Sequence, residues 1–196
     1  MKPSLERPHE NPTAADGGEA APLQMSWTAR AERVMAQPFA AERGRELFTA
    51  VWRADRHGMA LTPIEAARLA GHFDFVLVPA AQAVIGQDEA GDYLLVVLEG
   101  RLSVDRVQGD GSRVRLAEAH AGDLLGEMSL LDAGSRFSAC TTLTPCVLAV
   151  LDARRLEALM ASEPRLALAL LASLARRLSL RLRQVSTRLS ALLAGG

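Results

Sequence analysis

The chain has a single lysine, Lys2, only two cysteines, and no apolar run of membrane-spanning length in its 196 residues. Each shortage excludes something. Cys140 and Cys146 flank Thr144-Pro145. If that pair forms a tight hairpin loop, the register sets Cys140 opposite Ala149, the thiols do not meet, and no disulfide is expected. Neither cysteine has metal-ligand spacing, and both read as small buried hydrophobes. A spanning helix needs about 20 consecutive apolar residues, and the N-terminus lacks the basic-then-apolar order of a secretory signal. No membrane association is therefore expected, and a cytoplasmic location is. His9, His57, His72 and His120 are scattered, with no His-x-x-x-His or nucleophile-elbow arrangement. No catalytic residue, metal ligand or cofactor is assigned, and the chain is not expected to be an enzyme.

What is present suffices for one core with helical additions: 49% of residues are hydrophobic and 23% charged. Net charge is −1, which gives no general argument for nucleic acid. The charge is uneven, because residues 164–196 hold six arginines and no acid while the remainder holds 16 basic and 23 acidic residues. Such a basic helix reads first as a solvated face and second as a surface for an acidic partner.

Residues 1–25 contain Pro3, Pro8, Pro12, Pro22 and Gly17-Gly18 among polar neighbours, and are expected to be disordered. A helical leader follows over 26–72, with segments at 27–36, 39–57 and 63–70. Thr62-Pro63-Ile64-Glu65 is a capping box with proline at the first helical position, and Gly58 and Gly71 are the expected helix stops. From residue 73 the period becomes that of strands, at 75–78, 83–85, 93–98, 102–107, 113–119, 138–143 and 146–151, with Gly109-Asp110-Gly111 as a hairpin turn. Short strands at this spacing predict a mainly β domain over 73–163, a jelly-roll-like β-roll or barrel with flanking helices. Asp152 caps a helix over 153–161, and Ser162 is the expected cap of a last helix running to about residue 193.

That last helix, within 164–196, has two apolar stripes. Leu168, Ala175, Leu182 and Leu189 share one heptad position, and Leu171, Leu178, Val185 and Leu192 share another, which predicts a homodimer seam. Leu166, Leu170 and Leu174 form a second stripe expected to cover the mouth of the roll.

The stretch 122–138, Gly-Asp-Leu-Leu-Gly-Glu-Met-Ser-Leu-Leu-Asp-Ala-Gly-Ser-Arg-Phe-Ser, bears most on function. Gly122 and Gly126 permit close backbone approach. The segment 126–131 reads as one helical turn whose free amides favour an anion. Glu127 can accept a ribose hydroxyl, and Arg136, expected on an exposed loop, can fork onto phosphate oxygens.

Gly126-Glu127-Met128-Ser129-Leu130 followed by Arg136, together with the strand, glycine turn and strand of 90–104, resembles the cyclic-nucleotide-binding domain family over about 73–190. The resemblance implies a regulatory receptor for a cyclic nucleotide. In it the backbones of Gly126, Met128 and Ser129 donate, Glu127 takes the ribose, Arg136 neutralises the phosphate and Ser138 assists. In many members a small residue follows the arginine at once; here Phe137 does, which counts for a second possibility, a non-binding dimeric adaptor that engages an unknown effector protein. Lid positions that present a Thr-Ser pair to adenine in the transcription-factor branch fall on Arg181 and Leu182. Arg181 can stack on a purine, bond a guanine edge or meet a second phosphate, so cyclic AMP, cyclic GMP and cyclic di-GMP all stay open. The helix-turn-helix unit of that branch is not expected here, nor is direct DNA binding.

Overall fold

The computed structural model describes residues 24–56 and 58–194. The elements in chain order are β1 (Gln24–Met25), α1 (Trp27–Arg33), β2 (Gln37–Pro38), α2 (Ala41–Ala54), α3 (Pro63–Ala70), β3 (Asp74–Val78), β4 (Ala83–Ile85), β5 (Ala90–Gly91), β6 (Tyr93–Glu99), β7 (Leu102–Val107), β8 (Arg113–Ala119), β9 (Leu124–Leu125), α4 (Glu127–Asp132), β10 (Ala139–Thr142), β11 (Cys146–Asp152), α5 (Ala153–Ser162) and α6 (Pro164–Ala194).

Two antiparallel sheets make the roll, one of five strands ordered β2-β3-β11-β6-β9 and one of four ordered β4-β10-β7-β8. The expected mainly β class with flanking helices is present. The sheets remain two and do not close into a barrel. β1 and β5 form a separate parallel pair, with Gln24 opposite Ala90 and Met25 opposite Gly91.

The five-stranded sheet is buried on both faces, and its sequence shows why. β6 reads Tyr-Leu-Leu-Val-Val-Leu-Glu and β11 reads Cys-Val-Leu-Ala-Val-Leu-Asp, apolar at nearly every position where a one-sided strand would alternate. Tyr93, Leu95, Val97, Cys146, Leu148 and Val150 point into the roll, where they meet Ile85, Leu102 and Cys140 of the other sheet. Leu94, Val96, Leu98, Val147, Ala149 and Leu151 point the other way, into a layer built from Phe48, Trp52, Leu69, Phe73, Leu159 and Leu170. Each large side chain so buried contributes about 1.5–3 kcal/mol. The leader is therefore part of the core.

The leader helices start where their caps require. Ser26 accepts from the Ala29 amide, and Thr62 and Glu65 bond each other's backbone in the full capping box. Gly71 ends α3 as expected, whereas α2 ends at Asp55, three residues before Gly58. Of the disorder expected over 1–25, residues 1–23 lie outside the described residues, while Gln24 and Met25 are ordered as β1.

Three further expectations need correction. β10 and β11 belong to different sheets, so Thr144-Pro145 carries the chain between sheets and Cys140 pairs with Val104 and Ile85, not Ala149. Both thiols are buried and free. Ser162 does not cap α6: it is the last residue of α5, its hydroxyl donates to the Ala158 carbonyl, and the Glu163 carbonyl takes the first amides of α6. The Leu166, Leu170 and Leu174 stripe packs into the helical layer behind the five-stranded sheet, with Phe48 and Leu69, and does not cover the mouth of the roll.

α6 changes character along its length. Up to Leu178 it is anchored: Ser173 accepts from the Met59 amide at 3.1 Å, and Arg177 pairs with Asp55 at 2.6 Å. From Ser179 to Ala194 every residue is exposed, including the seam residues Leu182, Val185, Leu189 and Leu192.

Candidate functional site

Arg136 is the centre of the site, and it is not on an exposed loop. It is 2% exposed. Its guanidinium donates to the carbonyls of Gly126 and Tyr93, each at 2.6 Å, and lies 4.6 Å over the Tyr93 ring. Two glycines make this possible. A Cβ on Gly91 would sit 2.4 Å from the arginine Nε, and one on Gly126 would sit 2.5 Å from its Nη1. Gly126 also has φ +79, a left-handed conformation that costs other residues strain. Burial pulls the Arg136 pKa down, though an arginine keeps its charge at any physiological pH. Among the described residues no ion pair includes Arg136: carbonyl dipoles and a ring face contact the buried cation, and the Asp92 and Glu127 carboxylates act on it without touching it.

The other predicted residues gather around it. Gly126 is the N-cap of α4, and Glu127 and Ser129 are the buried residues of that short helix. Glu127 is 5% exposed and accepts from Arg181 of α6 at 2.8 Å. Met128 is exposed, and Ser138 is half-buried. Gly122 lies one turn earlier, where the Val97 backbone pairs with Gly122 and Asp123 and holds the entry to the cassette against β6. Phe137 turns outward: it is 54% exposed, its ring lies under the Arg106 guanidinium at 4.3 Å, and its carbonyl accepts from the same side chain. Cys140 is the nearest thiol, and burial pushes its pKa up to about 12, so it is no nucleophile at neutral pH.

Sequence reading missed the residues that hold Arg136 in place. Tyr93 is its platform and carbonyl partner, Gly91 its clearance, and Glu89 and Asp88 bond its backbone: the Arg136 amide donates to the Glu89 carbonyl and the Asp88 amide to the Arg136 carbonyl, both at 2.8 Å. The signal was the Gly91-Asp92-Tyr93 run at the start of the strand motif, which marks a close approach next to an aromatic ring.

Comparison with known proteins agrees with this architecture. Residues 75–163 match the family model for the cyclic nucleotide-binding domain. The N-terminal domain of a transcriptional regulator from Streptomyces coelicolor shares 32% identity at a TM-score of 0.59, covering 66% of this chain and 92% of that one. A cyclic nucleotide-binding domain from Methylobacillus flagellatus superposes with a TM-score of 0.68 at 26% identity, over 78% of this chain and 85% of the other. The chain belongs to the cyclic-nucleotide-binding domain family. It is also 33% identical, over 100 residues, to the CRP-like cAMP-activated global transcriptional regulator of Mycobacterium tuberculosis, an alignment covering 51% of this chain and 45% of that protein. The chain spans about half the length of the curated relatives it matches. No helix among the described residues is long and apolar enough to cross a membrane.

Proposed function

We propose that this chain is a regulatory receptor whose cassette, Gly126 to Arg136 with Ser138, takes the cyclic phosphate and ribose of a nucleotide, and whose last helix relays the event. The observation that carries this is Arg136: a buried guanidinium that forms no ion pair among the described residues and is bracketed by two glycines is a preformed positive site that a phosphate would complete. Glu127 supplies an acceptor for a ribose hydroxyl, the backbones of Gly126, Met128 and Ser129 supply donors, and Ser138 assists. Cyclic AMP is the first ligand to test, since the matched relatives are described as cAMP-activated. Cyclic GMP and cyclic di-GMP are the comparators.

The relay rests on the Arg181–Glu127 pair. Beyond Leu178, Arg181 makes the ion pair between the exposed half of α6 and the roll. A ribose hydroxyl that claims Glu127 releases Arg181, which then either meets a second phosphate or leaves the exposed half free to reorient. That is the differential contact a switch requires. The exposed Leu182, Val185, Leu189 and Leu192 are the proposed dimer seam through which the change is passed on to an effector.

One observation favours the adaptor instead. Arg136 is bonded to carbonyls and Glu127 to Arg181, so the cassette satisfies itself as it stands. Calorimetric titration of the purified chain with the three nucleotides separates the readings. Saturable binding of one of them, lost in Arg136→Ala, supports the receptor; no binding by the parent overturns it in favour of the adaptor.

A further inference from the structure

The leader does more than cover the sheet. Its first helix reaches the segment that holds Arg136 by a polar and an aromatic route, and the strand before it adds a third contact.

The polar route starts at Arg30 of α1, which is 6% exposed. One end of its guanidinium donates to the Ala83 carbonyl at 3.1 Å, and the other pairs with the Glu89 carboxylate. The same Glu89 oxygen accepts from the Gly86 amide at 3.2 Å, so the carboxylate closes the turn between β4 and β5. The backbone of that turn then holds Arg136 on both sides, through Glu89 and Asp88, and Ala90 bridges Ser135. The chain of bonds runs from Arg30 to Glu89 to the Arg136 backbone.

The aromatic route starts at Trp27, also on α1. Its ring meets Tyr93 edge-on, with centroids 5.3 Å apart, and the Tyr93 ring also lies against the Arg136 guanidinium. β1 adds a third contact, because Met25 pairs with Gly91, the residue whose missing side chain leaves room for the arginine Nε.

The geometry points to Arg30 as a positioning residue for the cassette arginine, with α1 as the element that fixes where the phosphate charge sits. Arg30 does not touch the ligand; it sets the turn to which Arg136 is bonded. A mere packing role would not need the guanidinium to be forked between Ala83 and Glu89 in a buried site, where a misplaced charge is costly. The inference rests on the reading that Arg136 is the phosphate partner, and the test separates the two.

Five variants of the full chain decide it: Arg30→Gln, Arg30→Lys, Glu89→Gln, Arg136→Lys and the double variant Arg30→Gln with Arg136→Lys. The first readout needs no ligand. Amide hydrogen exchange in Arg30→Gln should speed up by about tenfold or more over 86–91 and 134–138 while β6 and β11 keep the protection of the parent, and Arg30→Lys should restore most of it. If Arg30→Gln fails to fold, Glu89→Gln, which keeps the bond to Ala83, carries the same expectation. The second readout is the dissociation constant for cyclic AMP. Arg30→Gln should weaken binding about tenfold in the parent and less than about threefold in Arg136→Lys, because a positioning effect vanishes once its target is altered. Unchanged exchange at 134–138, or an equal loss of affinity in both backgrounds, overturns the inference. A parent that binds none of the three cyclic nucleotides overturns the receptor reading, while the exchange data still decide whether Arg30 holds the Arg136 segment.

Discussion

Arg30 and Arg181 each reach a glutamate beside the cassette, one from the leader and one from the last helix, yet their surroundings differ. The Arg30 side chain is 7% exposed and also bonds a backbone carbonyl, whereas the Arg181 side chain is 58% exposed and, among the described residues, bonds Glu127 alone. A buried pair is hard to open, since losing one partner strands a charge away from water, and such losses cost about 3–5 kcal/mol. Where only the arginine end stands in water, as at Arg181, that end is rehydrated when the pair opens, so the pair holds less firmly than one with a buried arginine even though the Glu127 carboxylate is itself buried. Around Arg136 the chain thus combines one contact suited to holding and one suited to letting go.

The comparison can be broken in order of effect. Arg136 lies between the two pairs, and Arg136→Ala should cost roughly 2–4 kcal/mol of nucleotide affinity, about 30- to 800-fold in dissociation constant by calorimetry. Because the side chain is buried and bonded, this variant should also lose about 1–3 kcal/mol of stability in urea, as the Gly126 and Tyr93 carbonyls are left without donors. Binding within twofold of the parent would remove Arg136 from the site. Next in size is Arg30→Ala, for which about 3 kcal/mol of destabilisation is expected, at the low end for a buried pair because Glu89 is partly exposed. A loss no larger than that in Arg181→Ala would make the two pairs equivalent.

The seam is tested on its exposed half, where substitution does not disturb the core. Val185→Asp with Leu189→Asp should convert a dimer to a monomer by light scattering, with urea stability per chain otherwise preserved. A monomeric parent rules the seam out. Arg181→Ala should cost less stability in urea than Arg30→Ala, because removing the exposed arginine opens the Glu127 carboxylate to water. It should weaken cyclic di-GMP, which brings a second phosphate, and leave cyclic AMP unchanged or up to about fivefold tighter, since Glu127 is then free. Equal loss for both ligands would leave Arg181 a general electrostatic contributor.

A third arginine pair, Arg115 with Asp105 on the β7–β8 hairpin, lies across the sheet from Ala139 and offers the smallest effect. Burial pushes the Asp105 pKa up, but hydrogen bonds from Arg115 and Ser103 outweigh it and the net shift is downward. A carboxylate depressed on folding adds stability that is full above its unfolded pKa, about 3.9, and is lost as pH falls through the lower folded value. Urea midpoints should therefore drop below about pH 4, less steeply in Asp105→Asn. An identical acid limb in the variant would show that Asp105 contributes nothing to it.

The strands of the roll were legible because their signals are local. Leu102–Val107 and Arg113–Ala119 alternate around a glycine turn, and β6 and β11 are too apolar and too short to be anything but buried strands. The capping box at Thr62 was legible for the same reason. What failed was non-local. Nothing near Thr144-Pro145 announces that the chain changes sheets there, so the hairpin register was misassigned. The burial of Arg136 depends on Gly91, 45 positions upstream, and on Tyr93, and one arginine in a polar loop gives no sign of either. That Gly126, Glu127 and Arg136 lie together was readable from the cassette motif. Its closure by Arg181, its anchoring by Arg30 and the outward turn of Phe137 required the folded chain.

The two-sided burial of β6 and β11 has a practical corollary for anyone who trims this protein. The recognisable domain, 75–163, and the folding unit have different boundaries. A fragment cut to that match would keep only α5 over Leu94, Val96, Leu98, Val147 and Leu151 and lose Phe48, Trp52, Leu69, Phe73 and Leu170 from that face, forfeiting up to roughly 8–15 kcal/mol. That sum rivals the whole stability of an ordinary domain, about 5–15 kcal/mol. Such a fragment should collect in inclusion bodies, whereas one that keeps the wrapping helices, through the anchored half of α6, should remain in solution.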